Sequence, residues 1–265
     1  MDNLNSESNS TEYVNKILED IKKTGFLTEL NVASYLVKNG WFIQQNKGYL
    51  DKDFNKSREI DIVSYKNFYN NDIRVGIHLI FEVKKSKRPW IIFTSNKMPL
   101  VDEPQYNILY YKSSDLAIEA DLLNSYIRSS NARRGTAFHE AFKSPDEPSK
   151  IYEAILSSIK AMVSQYDKNL RAFNNTETTR NDVQIFIPIV LVEGKLFEAY
   201  LNEQGNLELL ESDYVPLNFS YDSPMYEKNI YYPEIMTIKG LELFSNEITK
   251  WTRSIFEKLN SIKEI

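Results

Sequence analysis

Two short runs rich in β-branched residues constrain the fold most, because each carries charged residues in its middle. They read REIDIVSYK at residues 58–66 and IFEVKKSKR at residues 80–88. β-branched and aromatic residues favour strands, and a short polar connection joins antiparallel neighbours. Together with the preceding WFIQQNKGYL run, residues 41–85 are predicted to form a meander of three strands. An unpaired charge buried in a strand is costly, so these charges need an explanation.

The spacing of the charged residues brings them together. Residues two apart in a strand share a face, so Glu82 and Lys84 project on the same side. Alternation places Ile60 and Ile62 on one face of their strand and Asp61 on the other, where strand pairing brings Asp61 beside Glu82. Two carboxylates so placed repel each other. A divalent cation between them explains both, since hard cations such as Mg²⁺ bind oxygen ligands and bridge to phosphate.

Further helices and strands flank this meander. Helical periodicity and caps at Thr11 and Thr28 predict two helices before it, and a helix is also predicted at 113–130. The remaining predicted elements are a helix at 151–170, strands at 183–192 and 196–201, and a helix at 247–262. This order predicts an α/β fold with a mixed central β-sheet flanked by helices and with C-terminal strand and helix additions.

The chain is predicted to form one domain. Residues 1–10 contain too few apolar groups to offset the entropy of ordering and are predicted to be a disordered tail. The domain then covers residues 11–265, with a core at about 26–165 and a β/α extension at about 183–265. Its 265 residues are enough to bury a substantial core.

Composition excludes several classes of function. The chain has no cysteine and two histidines, which excludes thiolate catalysis and Cys-type zinc sites and argues against a Ser-His-Asp triad. A net charge of −5 argues against a surface that attracts nucleic acid everywhere, although a local basic patch still binds phosphate. The polar start and the absence of a long apolar run predict a cytoplasmic protein without a membrane partner.

The charged residues match a known pattern. Asp61, followed on the next strand by Glu82-Val83-Lys84 and preceded by Glu29 near the start of a helix, resembles the PD-(D/E)xK nuclease superfamily, in its resolvase-like and Mrr-like branch. The resemblance covers about a quarter of the chain, and the residue before the aspartate is isoleucine rather than the family's proline. It implies a restriction-endonuclease-like core that hydrolyses DNA phosphodiesters with Mg²⁺ or Mn²⁺.

The resemblance also implies roles for these residues. Asp61 and Glu82 become metal ligands, together with the backbone carbonyl of Val83. Lys84 becomes the catalytic lysine. Glu29 becomes a supplementary ligand that acts through water.

Basic residues near this motif are candidates for contacts with the DNA backbone, although solvated turns explain some of them equally well. The candidates are Lys85, Lys87, Arg88, Arg133, Arg134 and Lys160.

The functional hypothesis is therefore a metal-dependent DNA endonuclease, and family analogy suggests restriction or anti-phage defence. The negative net charge suggests that a homo-oligomer or a partner subunit provides targeting. Two alternatives stay open: a non-catalytic nucleic-acid-binding or scaffold subunit with a nuclease-like fold, and a nuclease that acts on RNA.

Overall fold

The computed structural model describes residues 2–95, 108–113, 133–144, 146–175, 181–227 and 230–263. The described helices are α1 (Asp2–Lys23), α2 (Phe26–Lys38), α3 (Lys150–Asn174) and α4 (Ile238–Lys263). The described strands are β1 (Phe42–Asp51), β2 (Lys56–Asn70), β3 (Ile73–Lys85), β4 (Trp90–Thr94), β5 (Leu109–Lys112), β6 (Gly135–Glu140), β7 (Asn181–Glu193), β8 (Leu196–Leu201), β9 (Leu207–Glu211), β10 (Tyr214–Pro216), β11 (Phe219–Ser220), β12 (Ile230–Tyr231) and β13 (Glu234–Met236). The helix predicted at 113–130 lies almost wholly outside the described residues.

A mixed sheet forms the centre of the fold, as predicted. Its order is β1-β2-β3-β7-β13-β10, and β5 pairs with β7 beside this path. The predicted meander is confirmed, because β1, β2 and β3 pair antiparallel in sequence order. The long strands β3 and β7 pair in parallel over their whole length. A parallel pair of this kind needs a crossover connection, and α3 lies within the chain that joins them.

Helices cover both faces of the central sheet. On one face, α2 and α4 contribute Leu36 and Phe244 to a core that includes Leu79 of β3. On the other face, α3 contributes Ile155 to a core that includes Ile80. Neighbouring residues of β3 therefore enter opposite cores, which explains its continuous apolar run. None of the described helices is long and apolar enough to cross a membrane.

The two parallel strands continue into a second sheet. Beyond β3 and β7 the chain forms β4 and β8, which pair in parallel within a sheet of order β6-β4-β8-β9. At the junction the segments that follow β3 and β7 come close to each other. A Cβ atom added at Gly194 would lie only 2.6 Å from the carbonyl oxygen of Ser86. The charged end of β3 thus lies where one sheet gives way to the other.

Several predicted boundaries differ from the structure. The backbone of residues 2–10, predicted as a disordered tail, is helical, so α1 begins well before the predicted cap at Thr11; extending an existing helix is far easier than nucleating one. Helix α2 has Gly25 as its N-cap, and Thr28 instead donates a hydrogen bond to Glu193 of β7. The segment predicted as a C-terminal extension contributes β7, a central strand, so it belongs to the core of the sheet.

Candidate active site

Glu82 and Lys84 lie near the carboxyl end of β3, on the face covered by α3. Glu82 is 7% exposed. Its Oε1 accepts a hydrogen bond from Nζ of Lys84, and its Oε2 accepts one from Oγ of Ser157 on α3, at 2.8 Å. The side chain of Lys84 remains 33% exposed. The predicted pair is therefore formed, with the acid buried and the lysine reaching toward solvent.

The pairing of β2 is interrupted at Asp61. The ladder with β1 includes Ile60 and Ile62 but omits Asp61, opposite which Asn46 adopts a positive φ of 49°. Ile60 packs in the core under α3, whereas Ile62 packs in the core under α2 and α4. The prediction that these two isoleucines share a face is therefore wrong. A local irregularity in a ladder reorients the residues that follow it, and this one lies at the motif aspartate.

The interruption lets the side chain of Asp61 take the place of a backbone partner. Its Oδ2 accepts a hydrogen bond from the backbone N–H of Val83, at 2.6 Å. Continuing the register that pairs Ile62 with Phe81 places Asp61 opposite Glu82, as predicted. Because the N–H and C=O of a strand residue point to the same side, the carbonyl of Val83 also points toward the side of Asp61.

Burial and repulsion disturb the pKa values of these groups. Burial raises the pKa of Asp61, and the N–H of Val83 and the charge of Lys84 only partly oppose it. Burial also raises the pKa of Glu82, and the negative charge of Asp61 raises it further. Burial alone would lower the pKa of Lys84, but the carboxylates of Glu82 and Asp61 outweigh it and raise this pKa. Lys84 is therefore held as a cation between acids.

Glu29 stands in the first turn of α2, within electrostatic range of the same cluster. Burial raises its pKa, the charge of Asp61 raises it further, and the charge of Lys84 lowers it. The start of the helix is fixed to β7 by the bond from Thr28 to Glu193. The structure thus brings all four predicted catalytic side chains together, with Glu29 on the outer side of the cluster.

An open cleft of about 820 Å³ adjoins Glu82 and Lys84. Strands β1 and β2 form one wall and α3 forms another. Tyr49 on β1 reaches Ser157, with 3.3 Å between Oη and Oγ, so a chain of hydroxyl groups runs from β1 through α3 to Glu82. Sequence reasoning did not identify Tyr49 or Ser157, because a lone serine on an amphipathic helix carries no signal of its partner.

Lys160, a predicted contact for nucleic acid, lies in the wall of this cleft, but its ammonium group is held by two acids. It is 3% exposed, and its Nζ lies 2.9 Å from Oδ1 of Asp51 and 2.6 Å from Oδ2 of Asp53. Burial would lower its pKa, but the hydrogen bonds to the two carboxylates outweigh burial and raise it. Its charge is therefore balanced by carboxylates inside the protein.

The predicted basic residues at the end of β3 and just after it are divided between two surfaces. Lys85 points away from the cleft, donates a hydrogen bond to a backbone carbonyl at the end of α1 and pairs with Glu193 at 3.1 Å. Arg88 forms an ion pair with Glu147. Lys87 is exposed in the connection to β4. Of these three, Lys87 and Arg88 lie on the connection that follows the site.

The two predicted arginines belong to the second sheet. Arg133 pairs with Glu198 at 2.9 Å and lies over the ring of Tyr200, 3.7 Å from its centre. Arg134 donates to Oδ1 of Asn218 at 3.5 Å. Neither arginine is among the described residues that line the cleft.

The donors at the site fit a hard divalent cation. Among the described residues, no three His, Cys, Asp or Glu side chains form a cluster ready to hold a metal. Mg²⁺ is commonly bound by one or two carboxylates together with waters and phosphate, and Asp61, Glu82 and the carbonyl of Val83 supply oxygen donors of this type. Each oxygen of Glu82 accepts one hydrogen bond, from Lys84 or from Ser157, and keeps a lone pair that a metal ion could use.

Comparison of the chain with known protein families, with curated proteins and with solved structures finds no match.

Proposed function

We propose that this chain is a metal-dependent nuclease that hydrolyses DNA phosphodiester bonds. The observation that carries the proposal is the meeting of Asp61, Glu82 and Lys84 at the end of β3, beside an open cleft. Burying several acids around one lysine destabilises the fold, so such a cluster suggests a functional role. Clusters of groups with perturbed pKa values in a cleft are typical of functional sites.

Each residue has a role that follows from its surroundings. Asp61 and Glu82 would hold Mg²⁺ or Mn²⁺, with the carbonyl of Val83 beside them and Glu29 at the outer side. The ion would supply Lewis-acid polarisation of the phosphate and lower the pKa of an attacking water. The ammonium group of Lys84 faces the cleft, where it can donate to a phosphate oxygen and stabilise the negative charge that develops there.

The hydrogen bonds of Glu82 favour a second candidate. Both of its oxygens accept from protein donors, Lys84 and Ser157. If these contacts hold Glu82 in place and the site takes up no metal, the chain would act as a non-catalytic scaffold or nucleic-acid-binding subunit.

An exposed apolar stripe on α1 supports a partner for targeting. Val14, Ile17, Leu18 and Ile21 recur at helical spacing and are each 41–49% exposed. Such a stripe is typical of a helix that packs against another chain. We therefore include a homo-oligomer or a partner subunit in the proposal, and the family resemblance suggests restriction or anti-phage defence as its setting.

The test uses the full chain and three proteins: the wild type, Lys84→Ala, and Lys250→Ala as a control on the exposed side of α4. Each is incubated with supercoiled plasmid, linear duplex DNA, single-stranded DNA and RNA, in Mg²⁺, Mn²⁺ or EDTA. We expect metal-dependent cleavage of DNA that falls at least about 100-fold in Lys84→Ala and is unchanged in Lys250→Ala.

The other outcomes are equally informative. Cleavage of RNA but not of DNA would show that the substrate of the nuclease is RNA. Tight binding of DNA by the wild type without cleavage in any metal would favour the binding subunit. Equal cleavage by wild type and Lys84→Ala would place the activity elsewhere in the chain.

A further inference from the structure

A second, smaller cavity lies on the same face of the sheet, again under α3. Its volume is about 340 Å³, and β1, β2, β3, β5, β7 and α3 all contribute to its lining. This volume is at the lower end of the range for ligand pockets, so it suits a small planar group. The lining is mostly amide, imidazole and tyrosine side chains, which recognise ligands by hydrogen bonds and stacking.

A chain of hydrogen bonds fixes the chemistry at the floor of the cavity. Arg74 Nε donates to Asp182 at 2.9 Å. The amide nitrogen of Gln184 donates to the same carboxylate at 2.6 Å, so its Oε1 faces Nε2 of His78, 2.8 Å away. Nε2 of His78 therefore carries the proton, and Nδ1 is an acceptor. Burial lowers the pKa of His78 to about 4, which keeps the ring neutral near pH 7.

Gln165 supplies an unused donor in the wall of the same cavity. It lies on α3, is 2% exposed, and its Nε2 is buried without a hydrogen-bond partner among the described residues. A buried amide that lacks a partner destabilises the protein, and natural structures keep few of them. The nitrogen is closed off from the cavity in this conformation, so the amide has to rotate toward the cavity before an acceptor on the edge of a ligand can become its partner.

A row of aromatic rings, stacked on one another, borders the cavity. The strand register aligns Phe42, Tyr65, His78 and Phe186 in one row across four strands. Successive rings are stacked, with centroids 5.1, 5.8 and 4.3 Å apart. Tyr65 and, from β5, Tyr111 line the cavity.

The rim of the cavity is positively charged. Lys47 lines it, and Lys168 of α3 donates to the backbone carbonyl of Gly48 at 3.3 Å. The two ammonium groups are close enough that Lys168 adds to the effect of burial in lowering the pKa of Lys47. Positive charge at the mouth of a polar, aromatic cavity suits a phosphate attached to a base.

We propose that this cavity binds one nucleobase of the nucleic acid strand that lies in the neighbouring cleft. The inference rests on the proposed function, because it takes its strand from the nuclease site. The two cavities share β1 and α3, and His78 lies four residues before Glu82 on β3, a separation of about 13 Å. At the rise of a stacked strand this corresponds to about four nucleotides. A base displaced from the stack is read by hydrogen bonds to its edge and by stacking on aromatic rings.

The test measures binding without hydrolysis. Lys84→Ala protein in EDTA is titrated into an oligothymidylate that carries one central 2-aminopurine, whose fluorescence falls when it stacks. We expect quenching by the Lys84→Ala protein and by the same protein carrying Gln204→Leu, a matched change in an exposed turn. Adding Gln165→Leu instead should abolish the quenching and raise the Kd about three- to tenfold.

Thermal unfolding separates recognition from folding. Since Gln165→Leu removes a buried amide nitrogen that has no partner among the described residues, the melting temperature of this variant should equal or exceed that of the parent. If it falls, Asn67→Ala, in the more accessible part of the lining, provides the same binding test. Quenching that persists in a folded lining variant would overturn the proposal. A third outcome is saturable binding of adenosine monophosphate that Gln165→Leu abolishes, without quenching of the oligonucleotide. It would show that the cavity binds a free nucleotide and not a base of a nucleic acid strand.

The design keeps this proposal distinct from the nuclease. If the wild type cleaves DNA but the Lys84→Ala protein shows no quenching, the proposed base site is refuted and the proposed nuclease is supported. Quenching that depends on Gln165, in a protein that cleaves nothing, would retain the base site on a nucleic-acid-binding subunit.

Discussion

Lys160→Met should destabilise the protein strongly, because Lys160 neutralises two acids in the wall of the cleft. The side chain of Asp51 is 2% exposed and that of Asp53 is 16% exposed, and the ammonium group lies within 2.9 Å of both. Methionine conserves most of the volume and removes the charge. The substitution therefore leaves two carboxylates in a poorly solvated position without their shared cation.

The magnitude follows from what remains after the change. Removing one partner of a buried ion pair typically costs about 3–5 kcal/mol. Here Arg58 still pairs with Asp51 at 2.7 Å, and Ser223 still donates to Asp53 at 2.6 Å. These contacts favour the lower end, about 3 kcal/mol, which corresponds to a fall of about 6–12 °C in Tm for a chain of this size.

Urea unfolding of the wild type, Lys160→Met and Lys168→Met provides the measurement. Lys168 lies on the same helix and is exposed, so Lys168→Met should change the unfolding free energy by less than about 0.5 kcal/mol. If Lys160→Met is no more destabilising than this control, then the buried ion pairs do not have the role assigned to them. DNA affinity should also keep its salt dependence in Lys160→Met, because a lysine without phosphate contacts releases no counterions.

Two predictions concern pH. Burial raises the pKa of Asp53, but hydrogen bonds from Lys160 and Ser223 lower it to about 2 from a usual 3.8. The contribution of ionised Asp53 to the stability of the fold is therefore present above pH 4 and lost as the pH falls through 2. Between pH 5 and pH 2 the wild type should lose about 2 kcal/mol more unfolding free energy than Asp53→Asn, and equal losses would contradict the assignment. Burial lowers the pKa of His78 to about 4 from a usual 6.5, so its contribution is present above pH 6.5 and lost as the pH falls through 4. NMR titration should show a neutral His78 ring down to about pH 4, and protonation of His78 near pH 6 would refute its burial.

The parts of the structure that follow local rules could be predicted from the sequence. The meander of β1 to β3 was accessible because β-branched runs and a short polar connection are local signals. The spacing of Glu82 and Lys84 on one face follows from the period of a strand. Helices α3 and α4 were recognisable from their amphipathic stripes.

The parts that depend on long-range contacts could not be predicted. Lys160 and Asp51 are separated by 109 positions, and nothing near the lysine in the sequence indicates an acid partner. The irregularity at Asp61 involves two strands, because it lies opposite Asn46, which leaves the regular strand conformation. The central position of β7 depends on its pairing with β3, which joins residues 108 positions apart in the sequence, as Ile73 with Asn181.

The two groups of acids around the cleft differ in how their charge is balanced, and the difference bears on where the proposed cation would bind. Asp51 and Asp53 are paired with Lys160 and Arg58, so that group carries two negative and two positive charges. Near Lys84, by contrast, Asp61, Glu82 and Glu29 share one ammonium group, and the pKa of each of these acids is raised, by burial first and for Glu82 and Glu29 also by the charge of Asp61. Three ionised acids and one lysine leave a formal charge of −2, which equals in size the charge of a single Mg²⁺ or Mn²⁺ ion. The positive charges of Lys160 and Arg58 balance the acids on one side of the cleft. On the other side, near Lys84, the acids have too little positive charge, and a divalent cation would supply it.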